Sequence, residues 1–126
     1  MRLVRWADLE VLEAIRTDRG VAQIADEEGP DGSRRRAFAH YLSERIEDIC
    51  AEGGVDPAAC PVAVSGMAGS SIGWRELPYA TTPFGVDGSG AVTEDMNLSL
   101  HGGVGVTVIL ISGLRVETDV MRGEET

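Results

Sequence analysis

The 126-residue sequence contains no lysine; all eleven of its basic residues are arginine. This absence excludes a lysine Schiff base and the phosphate-binding lysine of a Walker A loop. The 21 acidic residues give a net charge of −10, which argues against nucleic acid or an anionic membrane surface as a partner. The length is that of one domain with a sizeable core.

Cysteine is scarce, and long hydrophobic runs are missing. The two cysteines, Cys50 and Cys60, are spaced neither as in a zinc ribbon nor as in a redox Cys-x-x-Cys pair, so we expect reduced, partly buried side chains. No signal-peptide pattern opens the chain, and no apolar run approaches membrane-spanning length. We therefore expect a cytoplasmic protein.

The pattern of a serine hydrolase is also missing. No segment matches the Gly-x-Ser-x-Gly nucleophile elbow, although Ser65, Ser70 and Ser71 stand beside glycines. The two histidines, His40 and His101, show no pairing with a serine. We expect the serines to cap a turn through hydrogen bonds to the backbone.

The first half of the chain contains one ambiguous and one clear element. Leu9, Leu12 and Ile15 have helical spacing, but residues 2–16 also read as two strands about a turn, and we favour the hairpin. Residues 26–33 have loop composition. Residues 34–52 are predicted to form a helix whose apolar positions share one face.

The second half supplies two strands. The short apolar run 61–65 reads as a buried strand, and residues 104–111 read as a central strand covered on both sides because both of its faces are β-branched. Residues 80–103 are polar and glycine-rich, which predicts an extended loop. Strands alternating with a helix indicate an α/β domain whose mixed sheet is flanked by helices.

The most informative segment follows the first of these strands. Gly66, Gly69 and Gly73 allow the backbone to adopt positive φ or to approach a ligand closely. Such bends at the carboxyl ends of strands are where α/β proteins bind ligands. The side chains beyond the bend can stack on, pair with or hydrogen-bond a small polar anion: Trp74, Arg75 and Tyr79. For Trp74 an equally good alternative is a core anchor beneath the loop.

A second polar cluster lies at the C-terminal end of the sequence. Asp119, Glu124 and Glu125 place three carboxylates around Arg122. A carboxylate near a sugar hydroxyl is what general-base catalysis of phosphoryl transfer requires. The alternative is a charged terminal turn without catalytic chemistry.

Three segments together resemble the 2-dehydro-3-deoxygalactonokinase family, whose members are sugar-acid kinases of the actin-like ATPase and hexokinase superfamily. They are VSGMAGSSIGWRELPY at 64–79, ISGL at 111–114 and DVMRGEET at 119–126. The dipeptide Gly20-Val21 is similar to the turn after the family's opening strands. The resemblance spans the chain but covers less than half of a family member.

The resemblance implies an actin-like (ribonuclease H-like) domain lacking its first strand, a partial N-terminal sugar-binding domain of a two-domain kinase. Family members transfer the γ-phosphate of ATP, with Mg²⁺, to 2-dehydro-3-deoxy-D-galactonate in galactonate catabolism. We expect a small sugar acid as partner and no tight binding of ATP or Mg²⁺ by this chain alone. The incomplete sheet would favour homo-oligomers or other association. The alternative is a non-enzymatic sugar-acid-binding or interaction module.

The resemblance also assigns expected roles to individual residues. The catalytic base is Asp119 or Glu124, with Asp119 favoured because it lies just beyond the strand 104–111. Arg75 or Arg122 would grip the substrate carboxylate, and no residue is expected to bind a metal. The expected substrate-binding residues are Gly66, Met67, Gly69, Ser70, Gly73, Trp74, Arg75, Tyr79, Arg122 and Glu125.

Overall fold

A computed structural model describes residues 1–26, 33–83 and 85–121. Strand β1 (Arg2–Val4) pairs antiparallel with β2 (Val11–Ala14), so the predicted hairpin is confirmed over the alternative helix. At its turn the guanidinium of Arg5 bridges the carboxylates of Asp8 and Glu10, at 3.0 and 2.8 Å. Most of the loop predicted at 26–33 lies outside the described residues.

Two helices follow, the second of which confirms the predicted helix 34–52. The short helix α1 (Val21–Asp26) was not predicted, whereas α2 (Ser33–Gly53) presents an apolar face formed by Phe38, Leu42, Ile46 and Ile49. Helix α2 ends because Gly54 adopts a positive φ of 66°. That conformation lets the Val55 N–H donate to the Cys50 carbonyl at 3.0 Å.

A three-stranded sheet packs against this face of α2. Its strand order is β3 (Val62–Val64), β6 (Gly105–Ile111), β5 (Thr93–Ser99). Strands β3 and β6 confirm the strands predicted at 61–65 and 104–111, and they pair in parallel. Val106 and Val108 join the helix side chains in one hydrophobic core.

The prediction of an extended loop over 80–103 was wrong. The segment contains β4 (Ala80–Thr81) and β5, which pairs antiparallel with β6 along its whole length. Within β5 the side chains alternate, so Met96 and Leu98 face inward between exposed polar residues. This period of two was hidden by the polar and glycine-rich composition around it.

The expectation that strand 104–111 is covered on both faces was also wrong. Val106, Val108 and Leu110 are buried, but Ile109 on the opposite face is 37% exposed. Strand β6 is central because both of its edges are hydrogen-bonded, to β3 and to β5. In the part of the chain that the structure describes, the main hydrophobic cluster forms on the α2 side of the sheet.

A second, smaller sheet lies beyond the end of β6. Strand β7 (Leu114–Arg115) pairs parallel with β4 and antiparallel with β8 (Val120–Met121). The order β4-β7-β8 brings β4 beside the adjacent strands β7 and β8, which lie more than 30 residues later in the sequence.

A cavity of about 390 Å³ separates the hairpin from the larger sheet. Strands β1 and β3 each have one strand partner among the described residues, and both contribute to its walls. Its lining includes Leu3, Ile46, Cys50, Cys60, Val62 and Val64. The fold is therefore α/β with a mixed sheet, as predicted, and its assignment to the actin-like class stays a prediction. Neither described helix is long and apolar enough to cross a membrane.

Candidate functional site

The glycine-rich bend begins directly at the carboxyl end of β3. Gly66 has φ 94° and ψ −149°, a conformation that L side chains rarely adopt, and it leads into a 3-10 turn at Met67–Gly69. Ser70 closes this turn, since its N–H and its hydroxyl both donate to the Met67 carbonyl, at 3.0 and 2.7 Å. The predicted turn-capping role is thus confirmed for Ser70.

The other two glycines allow the backbone to pack against itself. A Cβ on Gly73 would lie 2.3 Å from the carbonyl oxygens of both Met67 and Ala68. A Cβ on Gly69 would lie 3.4 Å from the Ile111 carbonyl oxygen. The close approach expected from the sequence therefore takes place within the protein at Gly73, whereas the Gly69 contact has an ordinary van der Waals distance.

Hydrogen bonds within the bend use many of its amides. Gly69 N–H donates to Gly66, and Gly73 N–H donates to Ser70, at 3.3 and 2.9 Å. Arg75 and Leu77 donate to Ala68 and Gly69. These amides stabilise the bend, so they are not the converging N–H groups that an anion would need.

The aromatic and cationic side chains after the bend have separate environments. Trp74 is 3% exposed and belongs to the hydrophobic core, which is the core-anchor alternative and leaves little of its surface for a ligand. Tyr79 is half-buried. Arg75 is half-exposed, and its Nε lies 3.2 Å from the carboxylate oxygens of Glu94 on β5.

Glu94 is the site-proximal residue that the sequence reasoning missed. It lies on β5, inside the segment expected to be a loop. The alternation of Glu94 with Met96 and Leu98 was the signal that could have placed its side chain on the inner face. Its carboxylate holds Arg75 in place beside the bend.

The structure brings together the segments that carry the family resemblance. The bend lies against the end of β6, because Gly69 approaches the Ile111 carbonyl. The Ala80 N–H donates to the Gly113 carbonyl at 3.0 Å, so the chain after Tyr79 lies beside the ISGL segment. Strand β8, inside the third segment, pairs with β7. The first two segments and residues 119–121 of the third converge where the parallel strands β3 and β6 end.

The C-terminal carboxylates are only partly described. Asp119 is exposed in the turn before β8, where its Oδ1 accepts a hydrogen bond from the Val120 N–H at 2.8 Å. The Val116 N–H donates to the Asp119 carbonyl at 2.9 Å, closing the turn. Arg122, Glu124 and Glu125 lie outside the described residues, so their predicted roles stay predictions.

The two histidines form a separate surface cluster. The Nδ1 of His101 lies 2.8 Å from a Glu47 carboxylate oxygen, and the His101 N–H donates to the other oxygen at 2.5 Å. Hydrogen bonds from His101 lower the pKa of Glu47 below its ordinary value. His40 lies beside His101, with ring centroids 5.8 Å apart, and 3.6 Å from Glu44. The cluster ties α2 to the β5–β6 turn.

These features define a class of protein. It is an α/β domain with a tight glycine bend at the carboxyl edge of its parallel strands. The family model for 2-keto-3-deoxy-galactonokinase matches residues 1–126, and the chain therefore belongs to that family. No solved structure matches it.

Two curated relatives carry the corresponding enzyme name. A probable 2-dehydro-3-deoxygalactonokinase of Rhizobium meliloti (strain 1021) is 28% identical over 113 residues, which are 84% of this chain and 33% of the relative. The 2-dehydro-3-deoxygalactonokinase of Escherichia coli (strain K12) is 39% identical over 70 residues, 52% of this chain and 21% of the relative. The matched part of this chain thus spans a third or less of each.

Proposed function

We propose that this chain is the sugar-acid-binding part of a kinase that transfers the γ-phosphate of ATP to 2-dehydro-3-deoxy-D-galactonate. The observation that carries the proposal is the convergence of the three resembling segments at the carboxyl edge of β3 and β6. Ligands of open α/β sheets bind at such an edge. The family match over the whole chain supports the same substrate class.

The proposed acid-binding group is the Arg75 guanidinium. Its position is fixed through Nε by Glu94, beside the bend. A guanidinium held in this way can present its terminal amines to a carboxylate, which is the group that distinguishes a sugar acid from a neutral sugar. Tyr79, four residues later and half-buried, is proposed to supply a hydroxyl and a ring wall.

The proposed general base is a carboxylate of the 119–125 segment. The sequence favours Asp119. Asp119 lies in the turn that leads into β8, which pairs antiparallel with β7. A general base must come within hydrogen-bond reach of the hydroxyl that it deprotonates.

Nucleotide and Mg²⁺ binding are assigned to other parts of the complete enzyme. The matched part of this chain spans a third or less of the two kinase relatives, which leaves most of their length for these groups. Phosphoryl transfer depends on positioning the phosphates, the metal and the acceptor together. This chain alone should therefore show no ATP-dependent phosphorylation of the sugar acid.

The first experiment is an ADP-release assay with 2-dehydro-3-deoxygalactonate, run on this chain and on an active longer protein that contains it. We expect turnover only by the longer protein. Turnover by residues 1–126 would contradict the assignment of nucleotide chemistry to other segments. Calorimetric binding of the sugar acid, combined with no ATP binding by the longer protein, would instead favour a non-enzymatic binding module.

The second experiment assigns the base in the longer protein. We expect Asp119→Asn to lower kcat by about two to four orders of magnitude with little change in KM, as loss of a general base does. Glu124→Gln is the comparison variant and should keep more of kcat. The opposite pattern would assign the role to Glu124.

A further inference from the structure

The two cysteines approach each other at one wall of the cavity between the hairpin and the larger sheet. Cys50 lies near the end of α2 and is 2% exposed. Cys60 lies just before β3, is half-buried and packs against the same hydrophobic core. Both line the cavity, and Cys60 packs against the hydrophobic cluster to which Cys50 belongs.

The connection between them is short and folds back on itself. Residues 51–59 leave α2 at Gly54, which has positive φ, and pass through a 3-10 turn at Pro57–Ala59. Asp56 caps that turn by accepting a hydrogen bond from the Ala58 N–H at 3.0 Å. The Cys60 N–H then donates to the Pro57 carbonyl at 3.1 Å. These contacts return the chain to the cavity wall that both cysteines line.

We propose that Cys50 and Cys60 are a reversible dithiol–disulfide pair, oxidised by a small disulfide such as oxidised glutathione. Both thiols are free in the structure. A disulfide there would join the end of α2 to the start of β3, the strand that leads directly into the glycine bend. Nothing in this inference depends on the kinase proposal.

The exposures of the two thiols set the order of the steps. The more accessible Cys60 thiolate attacks one sulfur of oxidised glutathione and releases one glutathione thiolate, giving a mixed disulfide. The Cys50 thiolate then attacks the Cys60 sulfur and releases the second glutathione. Two protein thiols lose two electrons and two protons, and one glutathione disulfide becomes two glutathione thiols.

The second step has a distinctive pH dependence. Burial, together with the nearby Cys60 thiol, raises the pKa of Cys50 to about 11. The attacking thiolate is therefore scarce at neutral pH, and ring closure should accelerate about tenfold per pH unit between pH 7 and 9. Near pH 7 the mixed disulfide on Cys60 should therefore accumulate before the internal disulfide forms.

The test is unambiguous because the sequence contains no cysteine other than Cys50 and Cys60. The purified chain is equilibrated at graded ratios of oxidised to reduced glutathione, quenched with acid and alkylated. Intact mass then separates free thiols, a glutathione adduct and an internal disulfide. Cleavage after Glu52, which lies between the two cysteines, yields two peptides that stay joined only when the disulfide is present.

We expect an internal disulfide that forms reversibly in the wild-type chain and raises its Tm by about 5–10 °C, the effect of closing a loop of this length. In the Cys50→Ser variant the reaction should stop at the glutathione adduct on Cys60. In the Cys60→Ser variant the buried Cys50 should remain unmodified. A wild-type chain that shows only adducts, only intermolecular disulfides or no oxidation at any ratio would overturn the proposal. Since these outcomes are read on the wild type, a variant that fails to fold does not weaken the test.

Discussion

Replacing Gly73 by alanine should destabilise the protein through the backbone of the glycine bend. The added Cβ would lie 2.3 Å from two carbonyl oxygens and 2.5 Å from the carbonyl carbon of Ala68. Real Cβ contacts are essentially never shorter than 3.0 Å, and these neighbours are backbone atoms that no side-chain rotation can move away. The bend must therefore shift, and the 3-10 turn before it must shift too.

The expected cost is about 1–3 kcal/mol, the usual range for forcing an extra methyl group into a packed region. With an unfolding entropy of about 2.1 cal/mol/K per residue, each kcal/mol lowers the Tm of a domain of this length by about 4 °C. We therefore expect the Tm of Gly73→Ala to fall by about 4–12 °C.

Urea unfolding followed by tryptophan fluorescence can measure this effect. Trp74 adjoins the substituted position and is 3% exposed, whereas Trp6 is 89% exposed. A Trp6→Phe background would leave Trp74 as the reporter. The matched control is Gly105→Ala, because a Cβ on Gly105 meets nothing within 4 Å. If Gly73→Ala unfolds within about 0.5 kcal/mol of its parent, the bend is not held by close backbone packing.

Two further predictions concern α2. Ile46→Ala should lower the free energy of unfolding by about 2–5 kcal/mol in urea titrations, because Ile46 is 2% exposed and central in the core; a loss below 1 kcal/mol would show that the cavity beside it relaxes. The pKa of Glu47 is lowered in the folded state, so its ionised carboxylate stabilises the fold. This stabilisation is fully present above about pH 4.5 and is lost as the pH falls through the folded-state pKa. The stability difference between wild type and Glu47→Gln should therefore shrink below pH 4.5, and a difference that grows there would contradict the assignment.

Local patterning predicted the elements that bury one continuous face. The helix α2 and the parallel pair β3–β6 follow from apolar periodicity and from turn residues at their ends. Strand β5 was missed because its apolar residues are separated by charged and polar ones, and only pairing with β6 makes the alternation meaningful. The burial of β6 was overestimated. Its composition shows that both faces carry apolar side chains, but a face is buried only where another layer packs against it.

The location of the candidate site could be predicted from the sequence, but the roles of its residues could not. The glycines marked a tight bend at a strand end, and the bend is there. A glycine can make room either for a ligand or for the protein's own backbone. Which of the two applies depends on how close carbonyl groups from other parts of the chain lie to the glycine, and a sequence does not contain these distances. The same holds for Trp74, whose ring is equally suited to a core and to a ligand wall.

Within the described residues β3 pairs with β6 alone, and this single pairing has a kinetic consequence. Along a strand with one neighbour, alternate amides point toward the partner and the others point away from it. Backbone amide exchange along β3 should therefore alternate between slow and fast from one residue to the next. Across residues 108–110 of β6, which are paired with both β3 and β5, protection should be continuous. Loss of the alternation in β3 would report that another strand had docked in the cavity, without any change in secondary-structure content.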